Sequence, residues 1–238
     1  MPTKPAVLQT AVLLIGSGRL AQHLQHWNKL LENPNQLICW NRSQDLELLK
    51  NSLSKCSIVW LAISDSAIQS FYDEHLRDSK LKVVHFSGAL DDKRFLSAHP
   101  LMSFPHSLLT DDVYKKIHFV ISGFENLGEA LPGLNNAFTI LNSEKKAYYH
   151  ALCVLAGNFP QLIWNEVSLK MKELNLPAEA SDLYIKQITE NYLNLKEKAI
   201  TGPLVRKDYV TIEKNITSLT ETTALKNIYT AFTKEFNQ

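Results

Sequence analysis

A glycine-rich turn early in the chain has the residue types and spacing that could bind the phosphates of a dinucleotide. Residues Gly16–Ala21 read Gly-Ser-Gly-Arg-Leu-Ala and lie between an apolar run, Ala11–Ile15, and a stretch with helical apolar spacing. Gly16 permits a tight turn, Gly18 lets a pyrophosphate approach the backbone, and Ala21 lets the helix pack on the strand. The N–H groups at the helix N-terminus would face the phosphates. The pattern predicts a dinucleotide site, and a turn without a ligand is the alternative.

The end of the second predicted strand indicates which dinucleotide this would be. An NAD site usually has an acidic residue there, which bonds the ribose hydroxyls. This strand instead runs into Asn41-Arg42-Ser43, and the first acid is Asp45. An acid would repel a 2′-phosphate, whereas Arg42 offers a bidentate guanidinium. The sequence therefore favours NADP(H) over NAD(H). The alternative is that Arg42 is a solvated surface charge and that Ser43 only caps the second helix.

Ligands of such sheets lie beyond the carboxyl ends of the strands, so residues after several strands should border the cofactor. The residues predicted to bind it are Gly16, Ser17, Gly18, Arg19, Leu20, Asn41, Arg42, Ser43, Ala62, Ile63 and Ser64. Asp65 is expected to cap the helix that follows the third strand. Ser87 and Gly88 follow a fourth strand and would face the nicotinamide or a substrate, with an ordinary turn as the alternative.

Short apolar runs alternate with amphipathic stretches in the first half of the chain. Strands are expected at Ala11–Ile15, Gln36–Trp40, Ile58–Ile63, Val83–Phe86 and His118–Ser122. From Ser143 onward the apolar spacing is helical throughout, with Asp208 and Thr211 both candidate helix caps. The sequence thus predicts an α/β fold: a Rossmann-type, doubly wound parallel sheet at residues 1–142, followed by an all-helical domain at residues 143–238.

Composition and charge argue against several classes of function. The net charge is +1, with 25 Lys and Arg against 24 Asp and Glu, so nucleic-acid binding through phosphates is not expected. Three widely spaced cysteines and no close cluster of metal-ligating residues argue against a disulfide framework and a metal site. No apolar run is long enough to span a membrane, so we expect no membrane partner and a cytoplasmic location.

Further motifs, taken in order along the chain, resemble a known family. They are Ser87-Gly88-Ala89-Leu90, His99-Pro100-Leu101, Tyr149-His150-Ala151, Gly157-Asn158 and Thr201-Gly202-Pro203-Leu204-Val205-Arg206. With the glycine turn and Asn41-Arg42-Ser43, they resemble a Rossmann-like family whose C-terminal half is known only as a domain of unknown function. It is similar to a branch of the 6-phosphogluconate dehydrogenase-like superfamily, with ketopantoate reductase, pyrroline-5-carboxylate reductase and the β-hydroxyacid dehydrogenases.

The resemblance implies an NADP-binding domain, a helical C-terminal domain that often dimerises, and an active cleft between the two. We therefore expect a homodimer that forms through the C-terminal helices, and a small-molecule substrate. Many apolar positions on those helices also favour a dimer. The chain departs from the close family where an Arg-Gly-Asp motif becomes Arg206-Lys207-Asp208.

A second departure concerns the catalytic lysine of the β-hydroxyacid dehydrogenases, which stands four residues before an Asn. If Asn158 matches that Asn, the lysine position is Val154, which cannot donate a proton. Lys145 and Lys146 are about two to three helical turns away, so we expect them to be poor substitutes.

Other side chains would then move the proton and hold the substrate. His150 is the first candidate because imidazole titrates near neutral pH, and Asn158 could line the same groove. The candidate substrate ligands are Ser87, His99 and Arg206. The alternatives are a structural His150, Asn158 as a helix cap, and Arg206 paired with Asp208.

These observations predict an NADP(H)-dependent oxidoreductase of a small substrate that could carry a carboxylate. The alternatives are a non-catalytic NADP(H)-binding sensor or regulatory dimer, and the same fold binding another nucleotide.

Overall fold

Seven strands form one sheet in the computed structural model, which describes residues 10–236. They are β1 (Ala11–Ile15), β2 (Gln36–Trp40), β3 (Ile58–Leu61), β4 (Lys82–His85), β5 (Leu96–Pro100), β6 (Phe119–Ser122) and β7 (Phe138–Ile140). The strand order is β2-β1-β3-β4-β5-β6-β7, and neighbouring strands are parallel except for β5 and β6. The predicted α/β class, with a Rossmann-type sheet and a helical C-terminal region, is confirmed.

Helices follow most strands, and they make up most of the chain from residue 143 onward. They are α1 (Arg19–Lys29), α2 (Leu46–Leu53), α3 (Asp65–His75), α4 (Asp111–Lys116), α5 (Leu127–Ala130), α6 (Lys146–Cys153), α7 (Phe159–Glu173), α8 (Ala178–Leu195), α9 (Tyr209–Ser218) and α10 (Thr223–Phe236). A π-helical turn occupies Val154–Asn158, and 3₁₀ turns occupy Ser143–Lys145 and Lys196–Ala199. The chain divides into two compact units, residues 1–154 and 155–238. This division falls later than the predicted domain boundary at 142, which stays a prediction.

The expectation of an entirely parallel sheet is wrong at β6, which runs antiparallel to β5. The connection between these two strands contains only α4, a six-residue helix. A parallel strand needs a crossover that returns along the sheet, usually through a longer helix, whereas an antiparallel strand does not. The structure also adds β5, β7, α4 and α5, none of which the apolar pattern predicts.

Alternating residues of the central strands bury their side chains on opposite faces of the sheet. In β1, Val12 and Leu14 join one apolar cluster, and Leu13 and Ile15 join the other. All four are at most 1% exposed. Burial on both faces explains why this strand has an uninterrupted apolar sequence, and it holds the following glycine turn in place.

The helices of residues 155–236 bury few side chains. Among the described residues of this unit, only Ser181, Ile212 and Thr233 are buried. Many large apolar side chains are exposed there, among them Leu183 at 65% and Val210 at 82%. The unit therefore presents an extensive apolar surface.

Candidate functional site

A cavity of about 650 Å³ opens at the carboxyl ends of β1, β2 and β3. Its lining includes Gly16, Ser17, Gly18, Arg19, Leu20, Asn41, Arg42, Ala62, Ile63 and Ser64. These are all of the predicted cofactor-binding residues except Ser43. The apolar side chains of Phe71 and Phe104 line it as well. The structure thus brings ten residues from three separate stretches of sequence to one cavity.

The two glycines of the turn have different roles in this structure. Gly16 has a φ of +127°, and a Cβ there would lie 2.2 Å from the carbonyl oxygen of Ala62. The fold itself therefore requires glycine at this position. Gly18 has a φ of −71°, and a Cβ there would have no heavy atom within 4 Å. Packing within the protein therefore does not require glycine at position 18, and the open space above this residue would let a ligand approach the backbone closely.

The first turn of α1 faces the same cavity without a competing side chain. Gly18 is the N-cap residue, no side chain caps the helix, and its first turn has no acidic residue. Backbone N–H groups at such a helix start are donors for an anion, and the helix dipole favours negative charge. The N-terminus of α1 therefore fits a pyrophosphate.

The loop after β2 is held in a fixed shape beside the cavity. The Asn41 side-chain oxygen accepts hydrogen bonds from the Ser43 backbone N–H at 3.0 Å and from its hydroxyl at 2.6 Å. Asp45 caps α2 by accepting from the Glu47 N–H at 2.9 Å, so the alternative that Ser43 caps this helix is wrong. Exposed Arg42 lines the cavity at this loop. The carboxylate of Asp45, the first acidic residue after β2, therefore caps α2.

The turn after β4 is built around the Ser87 hydroxyl. This hydroxyl donates to the Asp65 carboxylate at 2.5 Å and accepts from the N–H groups of Ala89 at 3.2 Å and Leu90 at 3.0 Å. The prediction that Asp65 caps α3 is wrong: Ser64 is the N-cap residue, and the Asp65 carboxylate faces Ser87. The Ser87 hydroxyl proton therefore lies in the hydrogen bond to the Asp65 carboxylate. Contact between Ser87 and a substrate stays a prediction.

Two imidazoles pack against the glycine of this turn. A Cβ on Gly88 would lie 2.6 Å from Cδ2 of His150 and 3.1 Å from Nε2 of His99. His99 Nδ1 is 2.7 Å from the Tyr149 hydroxyl, and the His99 and His150 ring centroids are 6.2 Å apart. The structure thus brings together Ser87, His99 and His150, which the sequence analysis had assigned to one site. A side chain at Gly88 would therefore require the His150 ring to move.

The electrostatics of this group keep His99 neutral. Burial, together with the charges of the nearby Lys146 and His150, lowers the pKa of His99 to about 4. Burial likewise raises the pKa of the Tyr149 hydroxyl above its usual range. Neither group is charged near pH 7, so the pair can share a hydrogen bond without an ionic cost.

Lys146 is a residue of this group that the sequence analysis set aside. Its side chain is buried, and its ammonium donates to the Ser87 carbonyl oxygen at 3.0 Å and to the Ser97 hydroxyl. Burial lowers its pKa to about 8, while Asp65 and Asp91 act in the opposite direction. Lys146, Tyr149 and His150 are spaced i, i+3 and i+4 on α6, so they share one helix face. That spacing is the signal that could have found the lysine.

Asn158 and Arg206 belong to the second compact unit, residues 155–238, and Val154 ends the first. Asn158 ends the π-helical turn and is the N-cap residue of α7, which agrees with its interpretation as a helix cap, although its side chain makes no capping hydrogen bond. Of the two candidate caps, Asp208 caps α9 by accepting a hydrogen bond from the Thr211 N–H at 3.1 Å. Thr211 and Arg206 both lower the pKa of the Asp208 carboxyl. Substrate binding by Arg206 and catalysis by Asn158 stay predictions.

Among residues 10–236, no group of three His, Cys, Asp or Glu side chains is placed to hold a metal ion. None of the helices in that part of the chain is both long and apolar enough to cross a membrane.

Comparisons with known proteins agree with this architecture. BF3122 of Bacteroides fragilis, provisionally named an NADP oxidoreductase, shares 20% identity at a TM-score of 0.74, covering 96% of this chain and 98% of that one. TM1727 of Thermotoga maritima shares 20% identity at a TM-score of 0.69, with 95% and 98% covered. The pyrroline carboxylate reductase of Plasmodium falciparum, solved with NADP bound, shares 12% at a TM-score of 0.56, with 96% and 98% covered.

A search of curated protein sequences gives no match. The model of a family described as a domain of unknown function, DUF2520, matches residues 122–236. The chain therefore has a Rossmann-type sheet and, over residues 122–236, a match to the DUF2520 model, in agreement with the family that its motifs resemble.

Proposed function

We propose that this protein is an NADP(H)-dependent oxidoreductase. The observation that carries the proposal is the open space above Gly18, at the uncapped start of α1, inside a cavity of about 650 Å³. That volume lies within the range of small-molecule and cofactor sites. The fold shared with a reductase solved with NADP bound supports the same conclusion.

Each side of the cavity would hold a different part of the nucleotide. The N–H groups at the start of α1 would bind the pyrophosphate, and Arg42 would pair with the 2′-phosphate beside the Asn41–Ser43 turn. Backbone atoms of Ala62–Ser64 would border the part of the cofactor that leads toward the turn after β4. The cofactor would supply hydride chemistry, and the protein would supply orientation and a proton.

His150 is the residue that we propose to move the proton. It is half-buried, and it packs beside Gly88 and His99 rather than in the sheet core. His99 is neutral and is fixed by Tyr149, so it would orient rather than protonate the substrate. We propose that Asn158 assists His150 in catalysis and that Arg206 binds the substrate by pairing with an anionic group such as a carboxylate.

Binding can be tested by fluorescence titration with NADPH and NADH. A charge-assisted hydrogen bond contributes about 1.5–3 kcal/mol, so Arg42 should favour NADPH by roughly 10- to 100-fold. We expect micromolar NADPH binding, and loss of the preference over NADH in Arg42→Ala. Arg77→Ala is the matched control, because Arg77 is an exposed arginine paired with Asp73 and absent from the cavity lining. If neither dinucleotide binds the wild type, the proposal fails.

The competing function is a non-catalytic NADP(H) sensor, which Val154 at the expected lysine position favours. The two are distinguished by adding small keto acids and imines to the protein with bound NADPH. The enzyme is supported if the wild type oxidises NADPH and if His150→Asn does so more slowly while binding NADPH with the same affinity. Tight NADPH binding without turnover on any of these compounds supports the sensor.

We also propose that the protein is a homodimer that buries the exposed apolar side chains of its C-terminal helices. An apolar cavity of about 550 Å³ on this unit, lined by Ile163, Val167, Leu225 and Phe232, adds to that surface. Obligate interfaces are apolar, and so much exposed apolar surface is unusual on a monomer. Light scattering should give twice the 27.0 kDa chain mass at micromolar concentration, and a monomer would contradict the proposal.

A further inference from the structure

A row of polar side chains crosses three neighbouring strands of the sheet. His85 of β4 pairs in register with Ser97 of β5, and Ser97 pairs with Ser122 of β6. Paired residues on adjacent strands point to the same face, so the three side chains form one row. All three are buried, with exposed fractions of 1%, 3% and 6%. Burying such a row is costly unless its polar atoms have partners.

Two atoms of the row lack a partner within the part of the chain that the structure describes. His85 Nδ1 accepts a hydrogen bond from the Ser87 backbone N–H at 3.1 Å, so the ring proton must be on Nε2. Burial lowers the pKa of His85 to about 3, so the ring stays neutral and Nε2 is a donor. Neither this N–H nor the Ser122 hydroxyl has a hydrogen-bond partner among residues 10–236, and neither atom is sealed from solvent.

Lys146 adds a cation to the same place. Its ammonium donates to the Ser87 carbonyl and the Ser97 hydroxyl, which leaves one of its three N–H donors. Lys146, His85 and Ser122 together line a cavity of about 560 Å³. None of the residues lining the cavity at the glycine turn lines this one, so the two cavities are separate.

The rest of the lining restricts what could bind. Leu90, Phe95, Phe124 and Leu141 supply apolar side chains. Asp91 and Glu125 also lie on the lining, and they would repel a doubly charged anion more strongly than a singly charged one. The remaining charged groups there are Lys93 and Asp92, and Asp92 is paired with Arg94 at 2.6 Å.

We infer that this second cavity binds a small carboxylate with an apolar substituent. The carboxylate would accept hydrogen bonds from Lys146 Nζ, His85 Nε2 and the Ser122 hydroxyl, and the substituent would lie against the apolar side chains. Three convergent donors, one of them charged, match the acceptor capacity of one carboxylate. The inference goes beyond the proposed oxidoreductase function and does not depend on nucleotide binding.

The test is calorimetric or saturation-transfer NMR titration of the full chain with 3-methylbutanoate, acetate and inorganic phosphate. We expect 3-methylbutanoate to bind saturably and several-fold more tightly than acetate, because it buries additional methyl groups. Phosphate should bind more weakly than either carboxylate. Phosphate binding more tightly than the carboxylates would overturn the inference, and so would the absence of carboxylate binding at concentrations up to about 50 mM.

Variants locate the binding. Ser122→Ala removes a hydroxyl that bonds to nothing within residues 10–236, so the fold should be unaffected while 3-methylbutanoate affinity falls roughly tenfold or more. Ser70→Ala, on the exposed face of α3, is the matched control and should bind as the wild type does. Lys146→Met should abolish binding, with Lys145→Met as its exposed control. Unchanged affinity in both Ser122→Ala and Lys146→Met would refute the site, whatever NADPH titrations show.

Discussion

Alanine at each of the two turn glycines should separate folding from nucleotide binding. In Gly16→Ala, the positive φ costs about 1–2 kcal/mol. The new Cβ would also lie 2.2 Å from a backbone oxygen that cannot rotate away. A loss of more than about 2 kcal/mol follows, which lowers Tm by roughly 4–8 °C for a chain of this size.

In Gly18→Ala, the backbone is already in a region open to any L-residue, and the methyl group meets no protein atom. Stability should therefore change by less than about 1 kcal/mol, since the small loss at an N-cap is offset by lower entropy of the unfolded chain. The methyl group projects into the space where the pyrophosphate would lie. NADPH affinity should fall by roughly tenfold or more, the equivalent of at least one charge-assisted hydrogen bond.

Thermal unfolding and NADPH fluorescence titration, on the same preparations, measure the two effects. The expected result is a low Tm for Gly16→Ala, and a wild-type Tm with weak NADPH binding for Gly18→Ala. Wild-type NADPH affinity in Gly18→Ala would refute the assignment of this turn to a pyrophosphate. A wild-type Tm in Gly16→Ala would show that the turn relaxes at no cost, which would refute the steric reasoning.

Three other predictions concern stability. Folding lowers the pKa of His85 from 6.5 to about 3. Below pH 6.5 the unfolded chain therefore binds a proton at this residue that the folded chain does not bind. The free energy of unfolding should be highest above pH 6.5 and should decrease as the pH falls toward 3. Urea unfolding at pH 7.5 and 5.0 should show about 2 kcal/mol of this loss in the wild type and less in His85→Asn. Asp45→Ala should cost about 1 kcal/mol in the same assay through loss of the α2 cap, whereas Ser43→Ala should cost less than half of that. Trp60→Phe should cost about 1–3 kcal/mol, because the buried indole N–H donates to the Ala130 carbonyl at 2.8 Å; an unfolding free energy equal to that of the wild type would contradict this.

The sequence predicted the parts of the fold in which local pattern and tertiary environment agree. β1 is buried on both faces and is apolar throughout, and α1 has one buried stripe. β5 was missed although its five residues alternate apolar and polar side chains, because it is short, has no β-branched or aromatic residue and ends in a proline. β7 was missed because its three residues are all exposed.

The candidate site was predictable where it depends on local backbone and not where it depends on distant contacts. The glycine turn is local, and its meaning can be derived from its own spacing. The contact between Lys146 and Ser87 joins residues 59 positions apart, so it depends on how the strands are ordered. Lys146 was set aside because it stands about two to three helical turns from Val154, the expected lysine position, whereas its partner Ser87 lies in the turn after β4.

The order of the strands has a consequence for how the chain is made. After β1, β2 and β3 have paired, each later strand joins the same open edge in the order in which it is synthesised. A ribosome releases the chain from its N-terminus, and domains generally begin to fold in that direction. The nascent sheet can therefore grow by one strand at a time, and no strand after β3 has to wait for a partner that has not yet been translated.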